Sequence, residues 1–244
     1  MAARWRDPCG LRAPLESLGA PICLPLATNS KKNLPRQVTS RLPAQTTLFL
    51  DRAPGGREKS RHQFVTVEVQ HYAYLNRPIP ICFDKTISQP LIVAVMTDLL
   101  ELKPDDIVLE IGTGLGYQSA VLAELAGKVY SVEIIDELAE RAVQRLKREG
   151  YTNIAVRVGN GYYGWPEHAL FDKMIVTAAP DLVPPPLINQ LKSGGRMVIP
   201  VGLPEAQQLV LAEKDVVGKF TMKEIMPVLF SQLEGPDENV CRAS

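Results

Sequence analysis

The stretch Val108-Leu-Glu-Ile-Gly-Thr-Gly-Leu-Gly-Tyr117 decides how the rest of the chain is read. Ile107, Val108, Leu109 and Ile111 form an apolar run of strand length, and Tyr117 to Ala126 combines helix formers with apolar residues at helical spacing. Between them, glycines at 112, 114 and 116 let the backbone come close to a ligand at the helix N-terminus, the usual seat of a nucleotide-like molecule on an open α/β sheet. A glycine-rich turn without a ligand is the plainer alternative. Three glycines in five residues would then give up chain entropy for no packing gain, which disfavours it.

The dinucleotide fingerprint Gly-x-Gly-x-x-Gly, counted from Gly112, needs a glycine where this chain has Tyr117. An acid, Glu110, closes the first strand instead. The next strand, Lys128-Val-Tyr-Ser-Val-Glu133, ends in a second acid placed to meet ribose hydroxyls. This arrangement resembles the cofactor site of class I S-adenosylmethionine-dependent methyltransferases.

Working outward, Leu91 to Leu102 carries a helical stripe of apolar residues after the polar loop Asp84-Lys-Thr-Ile-Ser-Gln-Pro90. Ser88 takes the N-cap position there, with Pro90 in the first turn. Downstream, Asp136 to Glu149 reads as a second crossover helix and Ile154 to Val158 as a third strand. Lys173 to Ala178 reads as a fourth strand and Pro186 to Leu191 as a short helix. A turn at Ser193-Gly-Gly195, a strand at Met197 to Pro200 and β segments at Gln208 to Ala212 and Val228 to Gln232 complete the pattern. Alternating strands and helices predict an α/β protein with a doubly wound, mostly parallel Rossmann-like sheet and an antiparallel C-terminal strand. Upstream, Val65 to Val69 alternates weakly as a strand would.

Residues 1–60 hold seven prolines and no sustained periodicity, which predicts a poorly ordered, basic tail. An organellar transit peptide or a misassigned start would look similar. The methyltransferase domain is expected over 61–235, with a C-terminal tail over 236–244. Residues 1–60 carry 10 Lys and Arg against 4 Asp and Glu, leaving 17 against 23 for the remainder, so the zero net charge conceals a basic tail and an acidic body. An acidic body argues against a nucleic-acid partner. No apolar run has the length of a membrane span. The four cysteines, at 9, 23, 82 and 241, have neither metal-ligand nor disulfide-framework spacing, so a monomeric, cytoplasmic protein without a metal is expected.

The segments Thr86-Ile-Ser-Gln-Pro90, Leu109-Glu-Ile-Gly-Thr-Gly-Leu-Gly-Tyr117, Val129-Tyr-Ser-Val-Glu133, Gly164-Trp-Pro-Glu167, Val176-Thr-Ala-Ala-Pro180 and Leu191-Lys-Ser-Gly-Gly-Arg-Met-Val-Ile-Pro-Val-Gly202 together resemble bacterial protein-L-isoaspartate (D-aspartate) O-methyltransferases. The resemblance runs from about Phe64 to Leu233. It implies transfer of a methyl group from S-adenosyl-L-methionine to the α-carboxylate of isoaspartyl or D-aspartyl residues in damaged proteins and peptides, which starts their repair through a succinimide. Ser88 would be the active-site hydroxyl. Glu110, Gly112, Gly114 and Gly116 would shape the methionine end of the cofactor pocket, Glu133 would take the ribose, and Asn160 with Gly161 would meet the adenine. Thr86 and Ile134 complete the implied cofactor set. Ile87, Gln89 and Pro90, with Ala178, Ala179 and Pro180, would form the peptide groove.

The chain departs from the family at three points. Gly159-Asn160-Gly161 replaces Gly-Asp-Gly, so the adenine contact loses its charge-assisted part. Leu91 stands where an aromatic residue or His is usual, and no N-terminal helical region is recognisable before residue 62. Methyl transfer to a carboxylate needs no general base, because such a group, with a pKa of roughly 3.5 to 4, is already ionised at neutral pH. That suits a chain whose three histidines, at 62, 71 and 168, sit in no nucleophile or metal motif. His168 reads as a surface loop residue. Tyr162, Tyr163 and Trp165 could wall an adenine or simply cover the sheet. A class I methyltransferase for another acceptor, and a catalytically impaired cofactor-binding homologue, are the alternative readings.

Overall fold

The structure, a computed structural model, describes residues 61–236. The tail expected over 1–60, and all but the first residue of that expected over 236–244, lie outside them. Residues 61–91 belong to one compact unit and residues 92–236 to a second.

In the first unit, two 3₁₀ turns, Arg61–Gln63 and Val67–Tyr72, precede a two-stranded antiparallel ribbon of β1 (Ile79–Pro80) and β2 (Thr86–Ile87). The strand expected at Val65 to Val69 is therefore not formed. Its amides close i→i+3 bonds, Val69 N–H to the Thr66 carbonyl at 3.1 Å and Ala73 N–H to that of Gln70 at 3.0 Å. Helix α1 (Pro90–Leu100) begins at the end of this unit. Because Pro90 is its first residue, Ser88 lies one position ahead of the N-cap, and the capping role expected of it is not realised. Cys82 is buried in the first unit.

The second unit is a seven-stranded sheet. Its members are β3 (Ile107–Ile111), β4 (Lys128–Glu133), β5 (Ile154–Val158), β6 (Phe171–Val176), β7 (Leu191–Val201), β8 (Gln208–Lys214) and β9 (Phe220–Pro227), in the order β5-β4-β3-β6-β7-β8-β9. The first five strands of that order run parallel, and β8 and β9 add an antiparallel meander. Helices α2 (Tyr117–Ala123) and α3 (Asp136–Arg148) are the crossovers beyond β3 and β4, and α4 (Pro185–Gln190) leads into β7. The central strands are covered on both faces, so Val108, Leu109, Val129, Met174, Ile175, Met197 and Val198 are all buried. This explains runs of apolar residues without alternation.

Helix α3 buries Leu138, Ala139, Ala142 and Leu146, a stripe at helical spacing. It carries Asp136 and Glu137 in its first turn and Arg145, Lys147 and Arg148 in its last, the charge order its dipole favours. Helix α2 stops at Ala123 rather than Ala126. The Asn153 amide donates to the carbonyls of Ala123 (2.9 Å) and Ala126 (3.2 Å), taking up acceptors that a longer helix would leave bare. The expected Ser193-Gly-Gly195 turn is absorbed into β7, beside a register shift between Phe171 and Lys173 on β6. The last strand is Phe220–Pro227, and the segment expected as Val228 to Gln232 makes only a parallel bridge from Gln232 to Ala179.

Strand order fixes where a ligand belongs. From β3 the chain winds one way through β4 to β5, then returns to lay β6 on the other side of β3. The crevice at the carboxyl end of β3 is thus the switch point of the sheet.

Candidate active site

The glycine turn leaves β3 at that switch point. Gly112 has φ +93°, a left-handed conformation, and a Cβ there would overlap the Thr177 hydroxyl. Thr177 follows β6, and its hydroxyl donates towards the carbonyls of Ile111 (3.0 Å) and Gly112 (2.9 Å), locking the turn to the neighbouring strand. From below, Arg145 of α3 donates to the Leu115 carbonyl at 2.7 Å. The backbone of the turn is thereby held from two sides before any ligand arrives.

Glu110 lies beneath the turn and is fully buried. It pairs in register with Ser131 on β4. The hydroxyls of Ser119, on α2, and Ser131 (2.6 Å) both donate to its Oε2. With the Ser131 proton so committed, the Thr113 hydroxyl is the donor in its 2.6 Å contact with Ser131 Oγ. The second carboxylate oxygen, Oε1, is buried without a hydrogen-bond partner. Burial is the main cause that raises the Glu110 pKa from the ordinary carboxylate range to about 7; the two serine hydroxyls oppose the shift and the nearby Glu133 charge adds to it. Glu110 therefore works from inside, tying turn, helix and second strand together.

Glu133 ends β4 and faces the turn from across the crevice. Its Oε2 accepts the Gly114 N–H at 2.7 Å, and its Oε1 accepts those of Ile134 (3.0 Å) and Ile135 (3.1 Å). A carboxylate offers about four acceptor sites, so three amide bonds fix the group and still leave capacity for a hydroxyl. Ile134 beside it is 41 % exposed, an apolar surface at the strand end. Beyond β5, the Gly159 N–H donates to the Glu133 carbonyl at 2.8 Å, bringing the Gly159 to Gly161 turn alongside. The Asn160 Oδ1 accepts from Tyr162 N–H at 2.9 Å, while its Nδ2 donates to the Gly235 carbonyl at 2.8 Å. Gly161 is buried, and a Cβ there would overlap the Ile111 side chain.

The carboxyl ends of β3, β4, β5 and β6 thus bring together Gly112, Gly114, Gly116, Glu133, Ile134, Asn160, Gly161 and Ala178. Ala179 and Pro180 are more enclosed than a groove lining would be. Ala179 N–H donates to the Ser231 carbonyl at 2.8 Å and its carbonyl accepts from Leu233 at 2.9 Å, while the Pro180 carbonyl accepts from Gly202 at 3.0 Å. The segment around residues 231–233 covers them, leaving Ala178 only half-buried. In the first unit, Thr86 is exposed, Ile87 and Pro90 are buried, and Ser88 and Gln89 are half-buried.

The hydroxyl network of Thr113, Ser119, Ser131 and Thr177 escaped the sequence reading. Part of its signal was present, since Glu110 is the single polar residue of β3 and Ser131 lies between Tyr130 and Val132 of β4. Trp165 packs on Tyr130 (centroids 5.3 Å apart) with the Arg157 guanidinium 4.7 Å from its ring centre, so it covers the sheet. His168 is exposed and stacks on Tyr130 (4.1 Å) ahead of the start of β6, whereas the glycine turn leaves the end of β3. It is a surface residue, as expected.

A doubly wound sheet with a glycine turn at its switch point, and an acid on the next strand holding that turn, defines a class I S-adenosylmethionine-dependent methyltransferase. The residues fit the cofactor: bare glycine backbone where a side chain would collide, and a fixed carboxylate beside it with acceptor capacity to spare. Residues 57–237 match the family model for protein-L-isoaspartate(D-aspartate) O-methyltransferase. The chain is 67% identical over 174 residues to protein-L-isoaspartate O-methyltransferase 1 of Polaromonas sp. (strain JS666 / ATCC BAA-500), covering 71% of this chain and 74% of that one. It is 58% identical over 176 residues to protein-L-isoaspartate O-methyltransferase 2 of Syntrophobacter fumaroxidans, covering 72% and 71% respectively. Among solved structures, a protein-L-isoaspartate O-methyltransferase superposes with a TM-score of 0.66 at 30% identity, over 72% of this chain and 58% of that one. A Plasmodium falciparum structure described as a putative enzyme of the same kind, in complex with S-adenosyl-L-homocysteine, superposes at 0.64 with 21% identity, over 82% and 91%. The chain belongs to the protein-L-isoaspartate (D-aspartate) O-methyltransferase family, and it is an S-adenosylmethionine-dependent methyltransferase.

Proposed function

We propose that this chain methylates the α-carboxylate of isoaspartyl and D-aspartyl residues in damaged proteins and peptides. The observation that carries the reading is the Glu133 carboxylate bound to the Gly114 amide across the switch-point crevice, in a chain 67% identical to a protein-L-isoaspartate O-methyltransferase. Bound S-adenosylmethionine supplies a methyl group on a sulfonium sulfur. Glu133 would receive a ribose hydroxyl on its remaining acceptor site. Asn160 and Gly161 would meet the adenine. Gly112, Gly114 and Gly116 give the methionine end close backbone approach, Glu110 holds that backbone from beneath, and Ile134 and Thr86 complete the cofactor contacts. Ser88 is the hydroxyl that orients the substrate carboxylate, and Ile87, Gln89, Pro90 and Ala178 contact the peptide, with Ala179 and Pro180 supporting it from behind.

The chemistry this asks of the protein is modest. With the cofactor bound, a carboxylate oxygen would take the methyl carbon and the sulfur would keep the bonding pair, so the chain's residues would need to move no proton. Binding, alignment and removal of water from the carboxylate lower the barrier. Titration calorimetry with S-adenosylmethionine, followed by tritium-methyl transfer to an isoaspartyl peptide and its Asp twin, tests the reading. Label in the isoaspartyl peptide alone is expected. Cofactor binding without transfer to either peptide would instead support an impaired homologue or another acceptor.

A further inference from the structure

Arg61 is a charged side chain that is 1 % exposed. A buried guanidinium needs acceptors for its donors, and here Nε and Nη2 each reach a distant stretch of backbone. Nε donates to the Ala73 carbonyl at 2.7 Å, where the 3₁₀ turn Val67–Tyr72 ends. Nη2 donates to the Ser88 carbonyl at 2.5 Å, between β2 and α1. The planar fork can satisfy both carbonyls at once, which an ammonium on a flexible stem does poorly. Pro90, two residues on, has no N–H to offer a local turn, so this side chain supplies a donor that the adjoining backbone lacks. From the other end, the Asn76 amide oxygen accepts the Leu91 N–H at 3.1 Å. The Ser88 to Leu91 stretch is therefore held at both ends by side chains from earlier in the chain, and at Ser88 the holder is a buried cation.

We propose that Arg61 is a positioning residue for methyl transfer: by clasping the Ser88 carbonyl it fixes the Ser88 to Leu91 stretch, and with it the Ser88 hydroxyl, in the place the carboxylate requires. The inference rests on the reading of Ser88 as the orienting hydroxyl. A misplacement of about 1 Å costs on the order of a hundredfold in rate when alignment is the main source of catalysis. The loss should then fall on kcat, while cofactor affinity, which depends on the glycine turn and Glu133, stays as it is.

The test compares Arg61→Gln, Arg61→Lys, Ser88→Ala and the two double variants in the full chain. The measurements are kcat and KM for an isoaspartyl peptide, calorimetric affinity for S-adenosylmethionine, and melting temperature. Arg61→Gln is expected to lower kcat by roughly ten- to a hundredfold with cofactor affinity within about twofold, and Arg61→Lys to fall between it and the unmodified protein. Since Arg61 acts through Ser88, either Arg61 change should cost less than about threefold more once Ser88 is Ala. If Arg61→Gln does not fold, Arg61→Lys, which keeps the buried charge, carries the comparison alone. Full multiplication of the Arg61 and Ser88 losses overturns the proposal, as does a fall in cofactor affinity that parallels kcat. So does an unchanged kcat in both Arg61 variants while Ser88→Ala is impaired, an outcome that leaves the Ser88 reading intact. An unchanged kcat in Ser88→Ala removes the Ser88 reading itself, and the proposal with it.

Discussion

Two carboxylates within one crevice do different work because their surroundings differ. Glu133 accepts three backbone N–H groups, whereas Glu110 is enclosed, with one oxygen bonded by hydroxyls and the other unpartnered. Replacing Glu133 by Ala should weaken cofactor affinity by about 1.5 to 3 kcal/mol, the usual worth of hydrogen bonds to a charged group. Unchanged affinity by calorimetry would place the ribose elsewhere. Glu110 makes a prediction about stability instead. Burial pushes its pKa up to about 7 from an ordinary 4.5, so the folded state holds a proton that the unfolded chain releases earlier. Below pH 4.5 both states are protonated and the group imposes no penalty. As pH rises from 4.5 through 7 stability is lost, by an amount on the order of 3 kcal/mol, and it levels off above that. Urea denaturation at pH 5 and pH 8 should therefore show a larger fall for the unmodified protein than for Glu110→Gln. Equal falls would mean that Glu110 does not titrate across this window.

At the scale of elements, the sequence was most legible where strands are buried on both faces. The bounds of β4 and β5 agree with Lys128 to Glu133 and Ile154 to Val158, and the glycine turn sits between β3 and α2 as its spacing implied. The ends of the sheet were less legible, for a physical reason. Strand β9 lies at an edge, with Thr221, Met222, Lys223 and Glu224 exposed, so no core imposes an apolar pattern on it. The more apolar Val228 to Gln232 looked more strand-like, yet it serves as a cover over Ala179, tied by hydrogen bonds from Phe230 and Val228 to Gln207. Alternation at Val65 to Val69 was too brief to outweigh local i→i+3 closure. In the site, the acids and glycines were readable from their positions, but the serine and threonine hydroxyls were not, because their roles depend on register between strands. The turn itself yields a prediction. Gly112→Ala combines a left-handed backbone with a collision at Thr177, so it should destabilise the protein by about 2 kcal/mol or more and abolish tight cofactor binding. A variant with unchanged melting temperature and affinity would show that the turn can open without cost.

For the whole molecule, a nucleophile that arrives ionised means that log kcat at saturating cofactor and peptide should be nearly flat between pH 6 and 8. Glu110 titrates in this range, so a weak inflection near pH 7 that vanishes in Glu110→Gln would belong to the support beneath the turn, whereas a steep acid limb surviving that change would point to a proton-transfer step and a different acceptor. The distribution of sequence along the chain leads to a second test. The family match begins at residue 57, and the first 60 residues hold a basic excess, seven prolines and no packable apolar periodicity. Every hydrogen bond described above around the glycine turn and Glu133 lies within residues 92–236. Deleting residues 1–55 should accordingly leave the affinity for S-adenosylmethionine within about twofold and the melting temperature within a few degrees of the full chain, roughly the scatter expected when no packed element is removed. An insoluble product, or one that melts far lower, would mean that this stretch packs against the catalytic domain and supplies the N-terminal region for which no match is recognisable before residue 62.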